Sequence, residues 1–342
     1  MKAVIMAGGL GTRLRAITGD KPKPMANLLG RPIMEHIVLQ LKDCGFDDIC
    51  AAVKYRAGDI IAHFGDGSRY GVKMQYRVET QALGTAGAVK NCADFYGDED
   101  FLVISGDAAC DFDFGLLMAQ HKKHKAAATL ALYRNSEPLR YGLAVSDDEG
   151  RIRSFVEKPD WPRVVTDRVN TGIYVLSPRV MEHVPAGECC DFGKELFPKL
   201  LRRGEKLLGL ELPGYWCDIG TPLSYYRCCA DAIEGKLKIQ LPEEYRPVAA
   251  PRAKEREEEG ISASCECRSR AELMRVLSEE LMELGADYSD GISLKGRNFE
   301  MHIRPSAELS ALKIAVKSHN EEFARDLLSS AVKAVDALEN KE

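Results

Sequence analysis

Gly8-Gly9-Leu10-Gly11-Thr12-Arg13-Leu14, followed by Lys21-Pro22-Lys23-Pro24-Met25, is the stretch that decides the fold. It comes directly after the apolar run Ala3-Val4-Ile5-Met6, which predicts a buried strand. A strand that leads through a glycine-rich turn into a helix leaves backbone N–H groups free at its end, where phosphate groups can bind. Arg13 and Lys23 add two cations at the same place. The stretch therefore predicts a site for a nucleoside triphosphate.

The glycine-rich turn is a weak signal when it is taken alone. It lacks the Gly-x-x-x-x-Gly-Lys spacing of a phosphate loop, and Leu14 stands where a dinucleotide fingerprint has its third glycine. A simple tight connection between a strand and a helix is the alternative interpretation. Pro22 and Pro24 restrict the backbone on both sides of Lys23. A lysine held in this way is suited to bind a phosphate, although a surface lysine in a rigid loop would have the same sequence.

Length, charge and cysteine content exclude several classes of protein. A chain of 342 residues predicts two domains. The net charge of −5 argues against a nucleic-acid partner, and no apolar run approaches the ~20 residues that span a bilayer, so no membrane association is expected. Because the first predicted strand begins almost at Met1, we expect a cytoplasmic protein without a signal peptide. The eleven cysteines contain no Cys-x-x-Cys pair, which predicts reduced thiols rather than zinc ligands or disulfides.

Short apolar runs alternate with helical patterns over residues 1–235. This alternation predicts a Rossmann-like α/β fold, with a mostly parallel mixed sheet covered by helices on both faces. Ligands of such sheets bind beyond the carboxyl ends of the strands. The clearest predicted strands are 48–53, 101–104 and 127–132, and the clearest predicted helix is 33–41.

Two aspartates stand where a divalent cation could bind. Asp107 follows the predicted strand 101–105, and Asp218 lies between apolar residues and a Gly-Thr turn. Mg²⁺ is commonly held by one or two carboxylates together with phosphate oxygens of a substrate. Taken singly, each aspartate could equally cap a helix or form a turn. Asp111 and Asp113 are expected to do that, and not to bind the metal.

The sequence after residue 235 has a different organisation. Residues 236–260 contain three prolines and a run of charged residues, which predicts a linker. Residues 261–342 predict a small α+β domain with the order β-α-β-β-α. The predicted domains are therefore 1–235 and 261–342, joined by 236–260.

Taken together, these motifs resemble the signature of the sugar-1-phosphate nucleotidyltransferases, and most closely that of the mannose-1-phosphate guanylyltransferases. The resemblance covers residues 1–235 and implies a glycosyltransferase-A-like variant of the expected fold. Besides the glycine-rich loop and Pro22-Lys23-Pro24-Met25, the motifs that match in the family's order are Leu83-Gly84-Thr85-Ala86-Gly87, Ser105-Gly106-Asp107, Tyr141-Gly142, Glu157-Lys158-Pro159, Asn170-Thr171-Gly172 and Trp216-Cys217-Asp218-Ile219-Gly220-Thr221.

The resemblance implies a reaction and a role for each matched residue. A sugar-1-phosphate oxygen would attack the α-phosphorus of a nucleoside triphosphate in line, and pyrophosphate would leave. Alternatively, Glu157 and Lys158 could form an exposed ion pair, and residues 170–172 a simple turn. The implied roles are catalysis for Arg13 and Lys23; nucleotide binding for Gly8, Gly9, Gly11, Thr12, Leu83, Gly84 and Thr85; sugar-phosphate binding for Gly142, Glu157, Lys158 and Asn170; and Mg²⁺ binding for Asp107 and Asp218.

The substrate pair is a finer expectation. Leu83-Gly84-Thr85-Ala86-Gly87 resembles the guanylyl branch of the family, and mutase-like domains are found fused to that branch. GTP and mannose-1-phosphate are therefore the first hypothesis. The alternatives are glucose-1-phosphate or a heptose-1-phosphate with another nucleotide, or a non-catalytic regulatory subunit that binds a nucleotide sugar.

The C-terminal domain resembles the last domain of phosphohexomutases, through Asp290-Gly291-Ile292 and Arg304-Pro305-Ser306-Ala307-Glu308. The second motif departs from that family, because Ala307 replaces a glycine and the following threonine and proline are absent. A phosphoserine loop and an Asp-x-Asp-x-Asp loop are also missing from the chain. Mutase activity is therefore not expected. A structural or assembly role in a homo-oligomer is favoured over the sensing of a sugar phosphate.

Overall fold

The computed structural model describes residues 1–241, 261–267, 270–281, 287, 291–295, 299–306, 311–318 and 320–339. They form two compact units. The first contains Met1–Tyr133, Ser146–Ser154 and the described residues from 170 to 241. The second contains Arg134–Val145, Phe155–Val169 and the described residues from 261 onward. The boundaries 1–235, 236–260 and 261–342 stay a prediction, and residues 242–260 of the expected linker lie outside the described part.

Strands and helices alternate through the first 235 residues, as expected, and a second group of strands and helices begins at residue 261. The strands are β1 (Lys2–Ala7), β2 (Asn27–Leu28), β3 (Arg31–Pro32), β4 (Asp48–Val53), β5 (Lys73–Val78), β6 (Phe101–Ser105), β7 (Ala108–Cys110), β8 (Ala128–Arg134), β9 (Gly142–Ser146), β10 (Ile152–Glu157), β11 (Arg168–Leu176), β12 (Leu207–Glu211), β13 (Trp216–Asp218), β14 (Ile261–Glu266), β15 (Ile292–Lys295), β16 (Phe299–Pro305) and β17 (Ala311–Ser318). The helices are α1 (Arg15–Thr18), α2 (Ile33–Asp43), α3 (Ala57–Phe64), α4 (Gly84–Lys90), α5 (Ala93–Tyr96), α6 (Phe114–His124), α7 (Phe197–Arg202), α8 (Pro222–Ile233), α9 (Arg270–Leu281) and α10 (Glu321–Glu339).

A mixed sheet forms the centre of the first unit. Strand β1 pairs in parallel with β4 on one side and with β6 on the other. Strand β4 pairs in parallel with β5, and β11 pairs antiparallel with β6. Strand β8 joins the sheet beside β11 and pairs in parallel with β12. This confirms the predicted mostly parallel mixed sheet.

Burial explains why the central strands could be recognised in the sequence. All residues of β4 from Ile49 to Val53 are fully buried, and the strand pairs with β1 on one side and with β5 on the other. Strand β5 lies at the edge and alternates between exposed residues, such as Lys73, and buried residues, such as Met74. The predicted strands 48–53, 101–104 and 127–132 and the predicted helix 33–41 are confirmed within a few residues.

The register of two strand pairs brings distant loops to the same edge of the sheet. Met6 of β1 lies opposite Ser105 of the parallel strand β6, so the glycine-rich loop and Asp107 both leave the sheet at the carboxyl ends of neighbouring strands. Strand β7, which follows Asp107, pairs antiparallel with β13, and Ala108 lies opposite Asp218. These pairings explain how two aspartates more than a hundred residues apart become neighbours.

The second unit contains a four-stranded antiparallel sheet in the order β14-β17-β16-β15, with α10 packed on β14 and β17. The predicted order β-α-β-β-α is wrong, because it lacks β15. Strand β15 has only four residues, which is too short for a clear alternating pattern in the sequence. It can be identified as a strand only by its pairing with β16. The likeness to a phosphohexomutase domain stays a prediction, and residues 307–310 of its expected phosphate loop lie outside the described residues. Within the described part of the chain, no helix is long and apolar enough to span a membrane.

Candidate active site

Gly11 lets the glycine-rich loop and the Lys23 segment approach each other closely. Its φ of 58° lies in the left-handed region, which residues other than glycine rarely adopt. A Cβ atom at Gly11 would lie only 2.7 Å from the Cβ of Lys23. At Gly9, by contrast, a Cβ would have open space, and Thr12 begins a short 3-10 turn. Between these two positions, only Gly11 is required to be glycine by its backbone conformation and by the closeness of Lys23.

The backbone around Lys23 is fixed by a 3-10 turn. Pro22 is extended, and Lys23 begins the turn Lys23–Met25. The N–H of Met25 donates to the carbonyl of Pro22 at 2.8 Å, and the N–H of Ala26 donates to that of Lys23 at 3.0 Å. The lysine is therefore presented from a defined backbone, as the two flanking prolines indicate.

Lys23 connects the two predicted metal ligands. Its Nζ lies 2.5 Å from Asp107 Oδ2 and 3.2 Å from Asp218 Oδ1. The side chains are mostly withdrawn from solvent, with exposed fractions of 11% for Lys23, 25% for Asp107 and 35% for Asp218. The pairing of Ala108 with Asp218 places both carboxylates on this one ammonium group.

The charges of this cluster stabilise one another against the cost of burial. Burial disfavours the charged ammonium of Lys23, but the attraction of Asp107 and Asp218 outweighs it and raises the pKa of Lys23. For Asp107, burial opposes ionisation, while Lys23 and a short hydrogen bond from Ser105 Oγ favour it, so its pKa is lowered. Lys23 and Asp107 are therefore both charged at neutral pH.

Arg13 lies at the same cluster. A Cβ atom on Gly220 would lie 3.1 Å from Asp218 Oδ2 and 3.4 Å from Arg13 Nη2, so the guanidinium group approaches the turn that follows Asp218. The structure thus brings together the two predicted cations and the two predicted carboxylates, all within the first unit.

The donor set of the cluster suits a magnesium ion. Oxygens of Asp107 and Asp218 already share one cationic group, so they are close enough to share a metal ion. Among the described residues, there is no group of three or more His, Cys, Asp or Glu side chains that could hold a metal. Two carboxylates with the remaining positions left to water and substrate phosphates is the arrangement that Mg²⁺ prefers. The residues present therefore fit the ion.

Leu83, Gly84 and Thr85 lie at the beginning of helix α4. Gly84 has a φ of 70°, and a Cβ atom there would lie 2.5 Å from the carbonyl oxygen of Cys190. Thr85 Oγ1 donates to Asp191 Oδ2 at 2.9 Å and accepts from the N–H of Phe192 at 2.9 Å. The Thr85 hydroxyl thus anchors the start of the helix to the segment around Asp191.

Glu79 is a residue of this region that the sequence analysis missed. Only 8% of it is exposed, and its Oε2 accepts a long hydrogen bond of 3.4 Å from the N–H of Leu83. A Cβ atom at Gly8 would lie 2.9 Å from Glu79 Oε1. Burial raises the pKa of the Glu79 carboxyl group. Glu79 therefore lies between the glycine-rich loop and the start of α4. In the sequence it is visible only as an acidic residue between a strand and a helix.

The predicted sugar-phosphate residues are divided between the units. Gly142, Glu157 and Lys158 belong to the second unit, where a Cβ atom on Gly142 would lie 2.9 Å from Glu157 Oε2. The N–H of Lys158 donates to the carbonyl of Tyr141 at 3.1 Å. Asn170 belongs to the first unit, and its Oδ1 accepts from the N–H of Gly172 at 3.2 Å, which is a local turn contact.

Of the two aspartates that were expected to form or cap the following turn, Asp113 does so, whereas Asp111 binds the backbone of distant segments. Asp113 is the N-cap of α6 and accepts from the N–H of Leu116 at 2.9 Å. Asp111 accepts from the N–H groups of Tyr215 at 2.6 Å and Lys238 at 2.9 Å. Asp111 thereby anchors the segment that leads into β13 and Asp218.

Comparison with known proteins identifies the family. Residues 2–235 match the model described as Nucleotidyl transferase. A UTP–glucose-1-phosphate uridylyltransferase of Synechocystis sp. is 36% identical over 256 residues, which are 71% of this chain and 66% of that protein. A mannose-1-phosphate guanylyltransferase of Mycobacterium tuberculosis is 35% identical over 234 residues, 68% of this chain and 65% of that protein.

A solved structure supports the same assignment. It is that of a candidate glucose-1-phosphate thymidylyltransferase from Bacillus anthracis in complex with sucrose, with a TM-score of 0.64 and 29% identity. The match covers 72% of this chain and 99% of that one. The chain spans slightly less than two thirds of the length of the curated relatives named above. With a family model that matches residues 2–235, this chain belongs to the nucleotidyl transferase family.

Proposed function

We propose that the chain transfers a nucleotidyl group from a nucleoside triphosphate to a sugar-1-phosphate and releases pyrophosphate. The observation that carries this proposal is Lys23, which lies between the carboxylates of Asp107 and Asp218 beside the glycine-rich loop. A fixed cation beside two carboxylates and free loop N–H groups is suited to bind and polarise a polyphosphate.

Lys23 and Arg13 carry the electrostatic part of the reaction. Lys23 binds the α-phosphate, where negative charge grows as the sugar phosphate attacks, and Arg13 neutralises the pyrophosphate that leaves. Because 11% of the Lys23 side chain is exposed, its charge acts with less screening by water than a surface lysine would. The attacking oxygen already belongs to a phosphate anion, so the reaction needs no general base. Catalysis depends on positioning and on charge stabilisation.

The glycine-rich loop and helix α4 would position the nucleotide. Backbone N–H groups of the loop, from Gly8 through Thr12, would bind phosphate oxygens. Leu83, which precedes α4, and the first two helical residues, Gly84 and Thr85, would line the base. By their resemblance to the family, Gly142, Glu157, Lys158 and Asn170 would bind the sugar phosphate, with Lys158 on the phosphate group and the others on hydroxyl groups.

Asp107 and Asp218 would hold Mg²⁺. When bound, the ion supplies positive charge that neutralises phosphate oxygens of the triphosphate. With the ion on these carboxylates, the Lys23 ammonium group would be available to bind a phosphate oxygen. The phosphate oxygens would then replace the carboxylates as the anionic partners that favour the charged form of Lys23.

GTP and mannose-1-phosphate are the substrate pair that we propose. The segment Leu83-Gly84-Thr85-Ala86-Gly87 supports it by its resemblance to the guanylyl branch, and so does the relative from M. tuberculosis. The relative from Synechocystis is about equally similar in sequence. Its name supports the alternative pair, which is glucose-1-phosphate with another nucleotide. Sugars that differ at one hydroxyl are discriminated by a few buried hydrogen bonds, which is why a direct comparison of substrates is required.

The test is pyrophosphate release by the full chain with each of five triphosphates against mannose-, glucose- and heptose-1-phosphate. We expect kcat/KM for GTP with mannose-1-phosphate to exceed that of every other pair by at least about tenfold, since discrimination by one hydrogen-bonded group is of this order or larger. A different best pair would reject the substrate assignment but keep the reaction. If no pair led to pyrophosphate release, the proposed reaction would be rejected. Tight binding of a nucleotide sugar without turnover would then identify a regulatory subunit.

A further inference from the structure

The loop that carries Glu157 and Lys158 belongs to the same compact unit as the C-terminal domain. Residues 155–169 lie in the second unit, together with the described residues from 261 onward. This grouping points to a role of the C-terminal domain at the sugar-phosphate end of the reaction.

Lys158 has a backbone conformation that requires support. Its φ of 41° lies in the left-handed region, which is uncommon for residues other than glycine, asparagine and aspartate. Such a conformation persists only where the surrounding structure imposes it. On one side the N–H of Lys158 is bonded to the carbonyl of Tyr141. On the other side the chain continues into the short 3-10 turn Trp161–Arg163.

Helix α9 of the C-terminal domain packs against this turn. Trp161 is 2% exposed, and Met274 and Leu277 of α9 are buried as well. Within the part of the chain that the structure describes, the indole N–H of Trp161 has no hydrogen-bond partner, so apolar packing is what holds the ring. The helix itself packs on α10 and β16 of the C-terminal sheet. The turn after Lys158 is therefore supported by the C-terminal domain.

We propose that the C-terminal domain positions the Glu157–Lys158 loop for the sugar-1-phosphate, with Trp161 as the positioning residue and α9 as its support. This inference rests on the function proposed above. A large buried ring three residues after Lys158 restricts the backbone conformations that the loop can sample. Without that packing, the loop must be ordered each time the sugar phosphate binds, which weakens binding of that substrate. Binding of the triphosphate at the glycine-rich loop should not change.

The test compares three variants of the full chain. Trp161→Leu removes the ring, and Met274→Ala shortens a buried side chain of α9, so these two contact variants weaken the turn and the helix that packs against it. Val335→Ala is the matched control, because Val335 is 1% exposed on α10, which packs on β14 and β17. Hydrogen–deuterium exchange over residues 155–165 reports the order of the loop, and steady-state kinetics report KM for each substrate.

We expect faster exchange over 155–165 in both Trp161→Leu and Met274→Ala. KM for the sugar-1-phosphate should rise about 5- to 20-fold, while KM for the triphosphate and kcat stay within about twofold, as is typical when an interaction common to ground and transition states is lost. Val335→Ala should lower the melting temperature and leave both KM values and the exchange of 155–165 unchanged.

Unchanged exchange in both contact variants would overturn the inference. So would faster exchange with an unchanged KM for the sugar-1-phosphate, or a parallel rise of both KM values. If the wild-type chain turned over no substrate pair, the proposed function would fail and the role in sugar-phosphate binding with it. The exchange experiment would still decide whether α9 supports the loop.

Discussion

Lys23→Met is expected to lower kcat by a factor of at least about a hundred in a protein that still folds. Loss of one preorganised group that stabilises transition-state charge costs about 10²–10³ in rate. The variant also leaves the carboxylates of Asp107 and Asp218 without their shared cation. We therefore expect a loss of at least about 1–3 kcal/mol in the free energy of unfolding, which is the usual cost of leaving a buried polar group without its hydrogen-bond partner. Addition of Mg²⁺ should raise the melting temperature of the variant by more than it raises that of the wild type.

Lys21→Met is the matched control for that experiment. Lys21 is exposed and lies two residues earlier in the same loop. Its substitution removes the same charge at nearly the same place and should change kcat less than about twofold, since isolated surface charges contribute little. Equal losses in the two variants would show that general positive charge, and not the fixed ammonium of Lys23, supports the reaction. Full activity of Lys23→Met would contradict the role of the residue directly.

Asp218→Asn and Asp107→Asn form the second prediction. Each substitution keeps the size of the side chain and removes one charge from the expected metal ligands. We expect kcat to fall at least about a hundredfold and the Mg²⁺ concentration for half-maximal activity to rise at least about tenfold, because Mg²⁺ prefers carboxylates and such substitutions remove its charged ligand. Activity measured across a range of Mg²⁺ concentrations separates the two effects.

Asp113→Asn controls for the loss of an aspartate in the same part of the chain. Asp113 caps helix α6, and asparagine is as good an N-cap residue as aspartate. This variant should keep the activity, the Mg²⁺ requirement and the melting temperature of the wild type. If Asp107→Asn and Asp218→Asn had the same Mg²⁺ requirement as Asp113→Asn, the two carboxylates would not be the metal ligands.

Much of the fold could be predicted because its central strands are buried on both faces. Ile49–Val53 and Phe101–Ile104 form unbroken apolar runs, and such runs between helical patterns are typical of a parallel sheet. The glycine-rich loop was recognisable for a similar reason, since Gly11 must adopt a positive φ beside Lys23. In both cases local constraints leave a visible pattern in the sequence.

Contacts between distant segments left no such pattern. The convergence of Asp107 and Asp218 depends on the pairing of two three-residue strands, with Ala108 opposite Asp218, and strands this short have no readable periodicity. The association of residues 155–169 with the C-terminal domain is likewise a matter of packing between remote segments. For the same reason, the position of Glu79 against Gly8 became visible only in three dimensions.

Anomalous scattering from Mn²⁺, in crystals of the full chain with a non-hydrolysable triphosphate, tests the central claim most directly. The account predicts one strong peak bound by oxygens of Asp107 and Asp218, with Lys23 Nζ moved from the carboxylates to a phosphate oxygen. A peak that touches neither aspartate, with Lys23 still between them and the triphosphate bound elsewhere, would contradict it.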